Sequence, residues 1–272
     1  MRILLIRRVL VSCCAIYAFT TSASGVLVDW SALNWPAGSL SNSYDVDPAN
    51  AGNDVTVTIS GNTGQLQTSL VSPNPQTPAI TRAFDGGLGT SPLSLELALD
   101  LSSNAQSVTF TLDFSALYAA GASNISFTIF DIDANNTSSS KYQDVISSIY
   151  AISTTGTHIA PTITNVGANV SLTGTGLSFV LTGQTSTVDL GAGSGAANAT
   201  ISFNTTDIAS ITFTYGSSGL FADPTYQHIG IYDIDYSVVP EPSALGACLG
   251  VLSLALWRSH HRPKGRPWTF LA

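Results

Sequence analysis

Along the middle of this chain apolar side chains return at every second position, and that alternation limits the fold more than any other feature. The runs DVTVTIS (Asp54–Ser60), LSLELALDL (Leu93–Leu101), QSVTFTLDF (Gln106–Phe114), NISFTIFDID (Asn124–Asp133) and ISSIYAIS (Ile146–Ser153) show it. So do GLSFVLTG (Gly176–Gly183), ATISFNT (Ala199–Thr205), SITFTYGS (Ser210–Ser217) and HIGIYDIDYSV (His228–Val238). Each alternates or is rich in β-branched and aromatic residues, as a strand with one buried face requires. Gly, Asn, Ser, Thr and Pro fill the connections. Short helical turns fit near FSALYAAG and TTDIAS, but no long amphipathic helix does. These features predict an all-β body, an antiparallel β-sandwich of jelly-roll type. A β-solenoid would need a regular repeat, and none is present. The irregular stretch Asn74–Thr90 reads as a surface loop joining an N-terminal hairpin to the sandwich, and LGAGSGAANAT as a flexible loop.

Charge is unevenly distributed over the 272 residues. Of nine Lys and Arg, three lie at the start and four at the end, which leaves Arg82 and Lys141 between. Sixteen of the 17 acids lie between Asp29 and Asp235, so the body carries about −14. Phosphate binding needs Lys and Arg, so nucleic acid is excluded as a partner. Divalent cations and neutral sugars suit such a body better. Cys13, Cys14 and Cys248 all fall in terminal apolar runs. The body has no disulfide framework and must be held by its core.

Both ends read as addresses. Residues 1–24 have the order of a secretory signal: MRILLIRR is basic, VLVSCCAIYAF is apolar, and TTSAS has small residues near Ala23 and Ser24. A buried helix of the domain is the other reading of this run. LVSC (Leu10–Cys13) loosely matches a lipoprotein cleavage box. At the other end, residues 239–266 run from Pro240-Glu241-Pro242 through an apolar stretch, Ser243–Trp257, to a basic tail, followed by residues 267–272. The apolar stretch predicts a helix of 15 residues, short of the roughly 20 of a comfortable bilayer crossing. Its basic flank stays cytoplasmic and leaves the body, residues 25–238, outside.

The C-terminal segment resembles the PEP-CTERM sorting signal of Gram-negative and related bacteria, over some 10 % of the chain. The resemblance implies recognition and cleavage by an exosortase, an integral-membrane transpeptidase-like enzyme. Export through the secretion machinery, transient insertion in the inner membrane and delivery to the cell surface or exopolysaccharide matrix are implied with it. Pro240, Glu241 and Pro242 would be the recognition element, Ser243–Trp257 the transient anchor, and Arg258 and Arg262 part of the stop. An ordinary tail anchor is the alternative.

Within the body, FTIFDID and IGIYDID repeat one pattern. Read as uninterrupted strands, the first puts Phe127, Ile129, Asp131 and Asp133 on one face, and the second puts Ile229, Ile231, Asp233 and Asp235 on one face. Carboxylates two apart on a strand stand about 7 Å apart, so chelation needs a bend. DIDANN can supply it: Asp131, Asp133 and Asn135 alternate as oxygen donors, as at the start of many calcium loops. Asn136 at the sixth position and Tyr142 at the twelfth rule out an EF-hand. Asp144 would complete a calcium site from beyond the loop. The plainer reading makes these residues solvated strand ends or turn caps.

No catalytic constellation is predicted. Glu96, the one glutamate of the body, reads as an outward strand residue without a carboxylate partner. His158 and His228 lack metal-ligand spacing. GSSG (Gly216–Gly219) is too short for a nucleophile elbow, and GAGSG precedes a strand rather than a phosphate-binding helix. Trp30, Trp35, Tyr44, Tyr118, Tyr142, Tyr150, Tyr215, Phe221, Tyr226, Tyr232 and Tyr236 are candidates for stacking on sugars, or for covering the ends of the core. The expectation is a non-enzymatic, exported surface or matrix protein, structural or adhesive, with exopolysaccharide as a candidate partner. A calcium-stabilised carbohydrate-binding module and a secreted hydrolase are the alternatives.

Overall fold

A computed structural model describes residues 25–67, 76–90, 92–116, 118–137, 140–184 and 193–239. The predicted signal segment 1–24, Pro240-Glu241-Pro242, the predicted helix Ser243–Trp257, Arg258, Arg262 and the tail 267–272 lie outside the described residues. Among the described residues the chain is all-β: 17 strands pair antiparallel into one large curled sheet, and the only helices are three short 3-10 turns. No helix among them is long and apolar enough to cross a membrane.

The strands fall into two rows. In the first, β2 (Ser41–Tyr44), β3 (Val55–Gly61), β6 (Ser107–Asp113), β15 (Ile208–Ser217) and β9 (Lys141–Ser153) lie side by side. The long β9 also pairs with β8 (Ala134–Asn136), β10 (His158–Ile159) and β13 (Val180–Gly183), and β12 (Val170–Thr173) flanks β13. In the second row, β11 (Thr162–Thr164) and β14 (Ala199–Phe203) lie on one side of β7 (Ala122–Phe130). On its other side lie β16 (Gln227–Ile231) and β17 (Ile234–Val238), end to end. The row then forks. β17 pairs with β1 (Gly25–Val28), while β16 pairs with β5 (Ser94–Leu99), which carries β4 (Ala79–Thr81). Among the described residues one strand pairing, Ile208 with Ala122, joins the rows, and an isolated bridge, Leu66 with Leu99, ties the chain after β3 to β5.

Alternation explains the core. β6 buries Val108, Phe110 and Leu112, β15 buries Ile211, Phe213 and Tyr215, and β7 buries Ile125, Phe127 and Ile129. The rings of Phe110 and Phe213 stack at 5.0 Å within the first row, and Phe213 also stacks on Phe127 of the second at 6.1 Å. Each such ring, fully buried, contributes roughly 1.5–3 kcal/mol by leaving water. The opposite positions carry hydroxyls: Thr58, Thr111 and Thr212 stand in register across three strands. With no disulfide in the body, this apolar contact is the main source of stability.

Three local expectations are corrected. Asn74–Thr90 is no plain surface loop, for it contains β4 and buries Thr77, Ala79 and Phe84 against β5 and β16. Ile208–Ser210 of TTDIAS belongs to β15, because Ile208 is needed in the core. Glu96 does not face solvent: β5 is buried along its whole length, since β4 pairs along its edge and Phe84 lies over Gly230, the residue of β16 opposite Glu96.

Candidate functional site

The repeated motifs turn out to be neighbours. β7 and β16 run antiparallel with Ile129 opposite Ile231 and Phe130 opposite Gly230. Phe130 and Tyr232, equivalent positions of the two motifs, stack at 5.2 Å with planes 27° apart. Both motifs break alternation at the same place. After Ile129 the next core isoleucine is Ile132, and after Ile231 it is Ile234. One extra residue is accommodated each time, as in a bulge. Asp131 takes it up with φ +66°, beyond the end of β7. Tyr232 and Asp233 take it up between β16 and β17, with the Tyr232 N–H donating to the Thr128 carbonyl at 2.9 Å. The expectation that the isoleucines and aspartates of each motif share a face is therefore overturned. The parity shift keeps isoleucines inside and turns the aspartates elsewhere.

The first motif leads into a buried carboxyl knot. Asp133, Asn135 and Asp144 are all buried, whereas Asp131 is half-buried. The β8–β9 hairpin brings Asp133 and Asp144 together: the Asp144 N–H donates to the Asp133 carbonyl at 2.9 Å, and the Asp133 N–H to Asp144 Oδ2 at 3.2 Å. Tyr215, from β15, donates its hydroxyl to Asp144 Oδ1 at 2.8 Å. Gly183 presses on the same spot, since a Cβ there would lie 2.0 Å from the Asp133 carbonyl oxygen. Burial first, then the charges of Asp133 and Asp131, push the Asp144 carboxyl well above the ordinary carboxylate range, and the bonds from Tyr215 and the Asp133 N–H offset only part of this. Burial, then the Asp144 charge, likewise raises the Tyr215 hydroxyl.

Of the four candidate calcium ligands, three thus converge electrostatically. Asn135 is engaged otherwise, its Oδ1 capping the Thr137 N–H at 3.1 Å. Among the described residues no group of three His, Cys, Asp or Glu side chains is placed to hold a metal ion.

The second motif borders a hollow of about 280 Å³ lined by Leu27, Ser126, Phe127, Thr128, Tyr232, Asp233 and Asp235. Asp233 Oδ1 accepts the Trp30 N–H at 3.0 Å, which ties the chain after β1 to the bulge. Burial raises the Asp233 carboxyl; the Trp30 bond opposes this, and the charges of Asp29 and Asp235 add to it. Asp235 is exposed beyond it.

Glu96 has a partner that alternation could not disclose. His228 Nδ1 lies 3.1 Å from Glu96 Oε1, and Thr81 donates to Glu96 Oε2 at 2.8 Å. The Phe84 ring stands edge-on to His228 at 6.2 Å. The group that joins Glu96 is an imidazole, not the second carboxylate that glycoside hydrolysis requires.

Sequence reading offered Tyr215 as a sugar-stacking aromatic but missed it as the partner of Asp144, and it missed Asp29 as a site residue. A signal existed for Tyr215. It follows Ile211 and Phe213 at core spacing, and a phenol in a core row needs a polar partner. Nothing adjacent marks Asp29, which the fork of the second row brings to Asp233. No family model, curated protein or solved structure matches the chain.

Proposed function

We propose that the chain is an exported, non-enzymatic protein of the cell surface or extracellular matrix, sorted by a PEP-CTERM-type signal. Its role is structural or adhesive, with exopolysaccharide as partner. The observation that carries this reading is the junction at the end of β17. The last paired strand stops at Val238, and Pro240-Glu241-Pro242, the apolar run and the basic tail follow at once. Cleavage at that junction would release the strands with every pairing intact. The finer architecture is a jelly-roll-like β-sandwich, supported by the stacking of Phe213 in one row on Phe127 in the other. The segment before β1 acts as the signal peptide, and the C-terminal apolar run as a transient helix in the membrane.

The test is replacement of Pro240, Glu241 and Pro242 by alanine in a host that carries an exosortase. The expected product is an uncleaved, membrane-retained form; release identical to the wild type counts against the reading. The calcium-stabilised carbohydrate-binding module draws its support from the carboxyl knot, where a divalent cation would relieve the repulsion among Asp131, Asp133 and Asp144. The two readings part over chelation, because only the module loses thermal stability in EDTA.

A further inference from the structure

The outer face of the second row is built as a hydroxyl-bearing track. Thr162, Ser202, Ser126, Asp235 and Leu27 stand in register across β11, β14, β7, β17 and β1. At about 4.8 Å between strands the row extends for about 19 Å. A second row, Thr164, Thr200 and Thr128, runs beside it toward Tyr232. Within the rows the hydroxyls of Ser126 and Ser202 lie 3.0 Å apart, as do those of Thr128 and Thr200. Both rows open into the hollow at the bulge, where Tyr232 and Asp233 lie between the β1 and β5 branches of the sheet.

We infer that this track and hollow bind an extended, uncharged polysaccharide laid across the strands, with one sugar seated in the hollow against Tyr232. Each part has a matching role. The Tyr232 ring, backed by Phe130, offers a flat apolar surface to the C–H face of a pyranose. The Asp233 and Asp235 carboxylates accept hydrogen bonds from sugar hydroxyls, and charged acceptors form the stronger bonds. Ser and Thr hydroxyls both donate and accept along the track. No Lys or Arg lines the hollow, two acids, Asp233 and Asp235, do, and the charge of Asp29 reaches Asp233, so uronic or sulfated chains are repelled. The inference deepens the exopolysaccharide part of the proposed function and rests on that reading.

Affinity electrophoresis of the full-length protein tests it, in a detergent without a sugar headgroup. Hydroxyethyl cellulose, laminarin and xyloglucan serve as neutral probes and alginate as the charged one. At least one neutral glycan should retard the protein, and alginate should not. Tyr232→Ser and Asp235→Asn should each weaken retardation by about tenfold, the loss typical of truncating a central contact. Asp235 is exposed, so its variant keeps the fold; unchanged circular dichroism and melting temperature confirm that. Retardation by no neutral glycan, equal retardation by alginate, or retardation indifferent to both substitutions overturns the inference. A chain that is still cleaved after β17 while binding no glycan loses this inference alone and keeps the sorting reading.

Discussion

Replacing Asp144 by asparagine should stabilise this protein near neutral pH, against the usual cost of altering a fully buried polar residue. The carboxyl is wholly buried, and Asp133 and Asp131 repel its charge, so its pKa in the fold lies well above the unfolded value. The folded state therefore holds the proton more tightly than the unfolded chain does. Stability then falls as pH rises from about 4, the ordinary aspartate value, through the folded value. Over that interval one proton contributes a slope of about 1.4 kcal/mol per pH unit. Asparagine removes the slope and keeps both contacts, with the direction of the Tyr215 bond reversed. Its Oδ1 can accept the Asp133 N–H, and its Nδ2 can donate to the Tyr215 oxygen. At about 2–4 °C per kcal/mol for a domain of this size, the melting temperature of Asp144→Asn should gain on the wild type by about 4 °C per pH unit. Thermal unfolding of both proteins, followed by circular dichroism at half-unit steps from pH 4 to 7, reads the difference. A constant offset, or an asparagine variant less stable throughout, would falsify the neutral-acid account. A calcium-dependent gain in the wild type that the variant lacks would replace it with a cation site.

Other perturbations have equally defined outcomes. Asp54 is fully buried and accepts the Val46 N–H at 2.7 Å, the Asp47 N–H at 2.6 Å and the Tyr118 hydroxyl at 3.0 Å. Asp54→Ala strands those donors and should cost about 3 kcal/mol in urea unfolding, whereas a change near zero would mean that water replaces the carboxylate. Gly183→Ala forces a methyl against the Asp133 backbone, which cannot turn aside, and should also cost about 3 kcal/mol; a silent substitution would contradict the close approach of β13 to the knot. EDTA should leave the melting temperature of the wild type unchanged. A fall that added calcium restores would favour the calcium-stabilised module.

What could be read ahead of the structure follows from how each element declares itself. Long strands with one buried face, such as β6 and β15, are visible because several alternations repeat in each. Strands of two to four residues, β8, β10 and β11 among them, contain too few alternations to register and form because a longer neighbour offers its edge. The bulges at Asp131 and at Tyr232–Asp233 escaped for a different reason. IFDID and IYDID look like continued alternation, yet burial of Ile132 and Ile234 outweighs the regular period. The meeting of Asp133 with Asp144 was legible because one hairpin joins them, whereas Tyr215 arrives from a strand 71 residues further along. The Glu96–His228 pair depends on β5 lying beside β16, a pairing that no local pattern encodes.

The measurement closest to the central claim is mass spectrometry of the mature C-terminus, on protein recovered from a host that carries an exosortase. A chain ending close to Pro240-Glu241-Pro242, and so lacking the apolar run Ser243–Trp257, is what the account predicts. A chain that still ends at Ala272 and stays with the membrane fraction would contradict it, and the segment after β17 would then be an anchor.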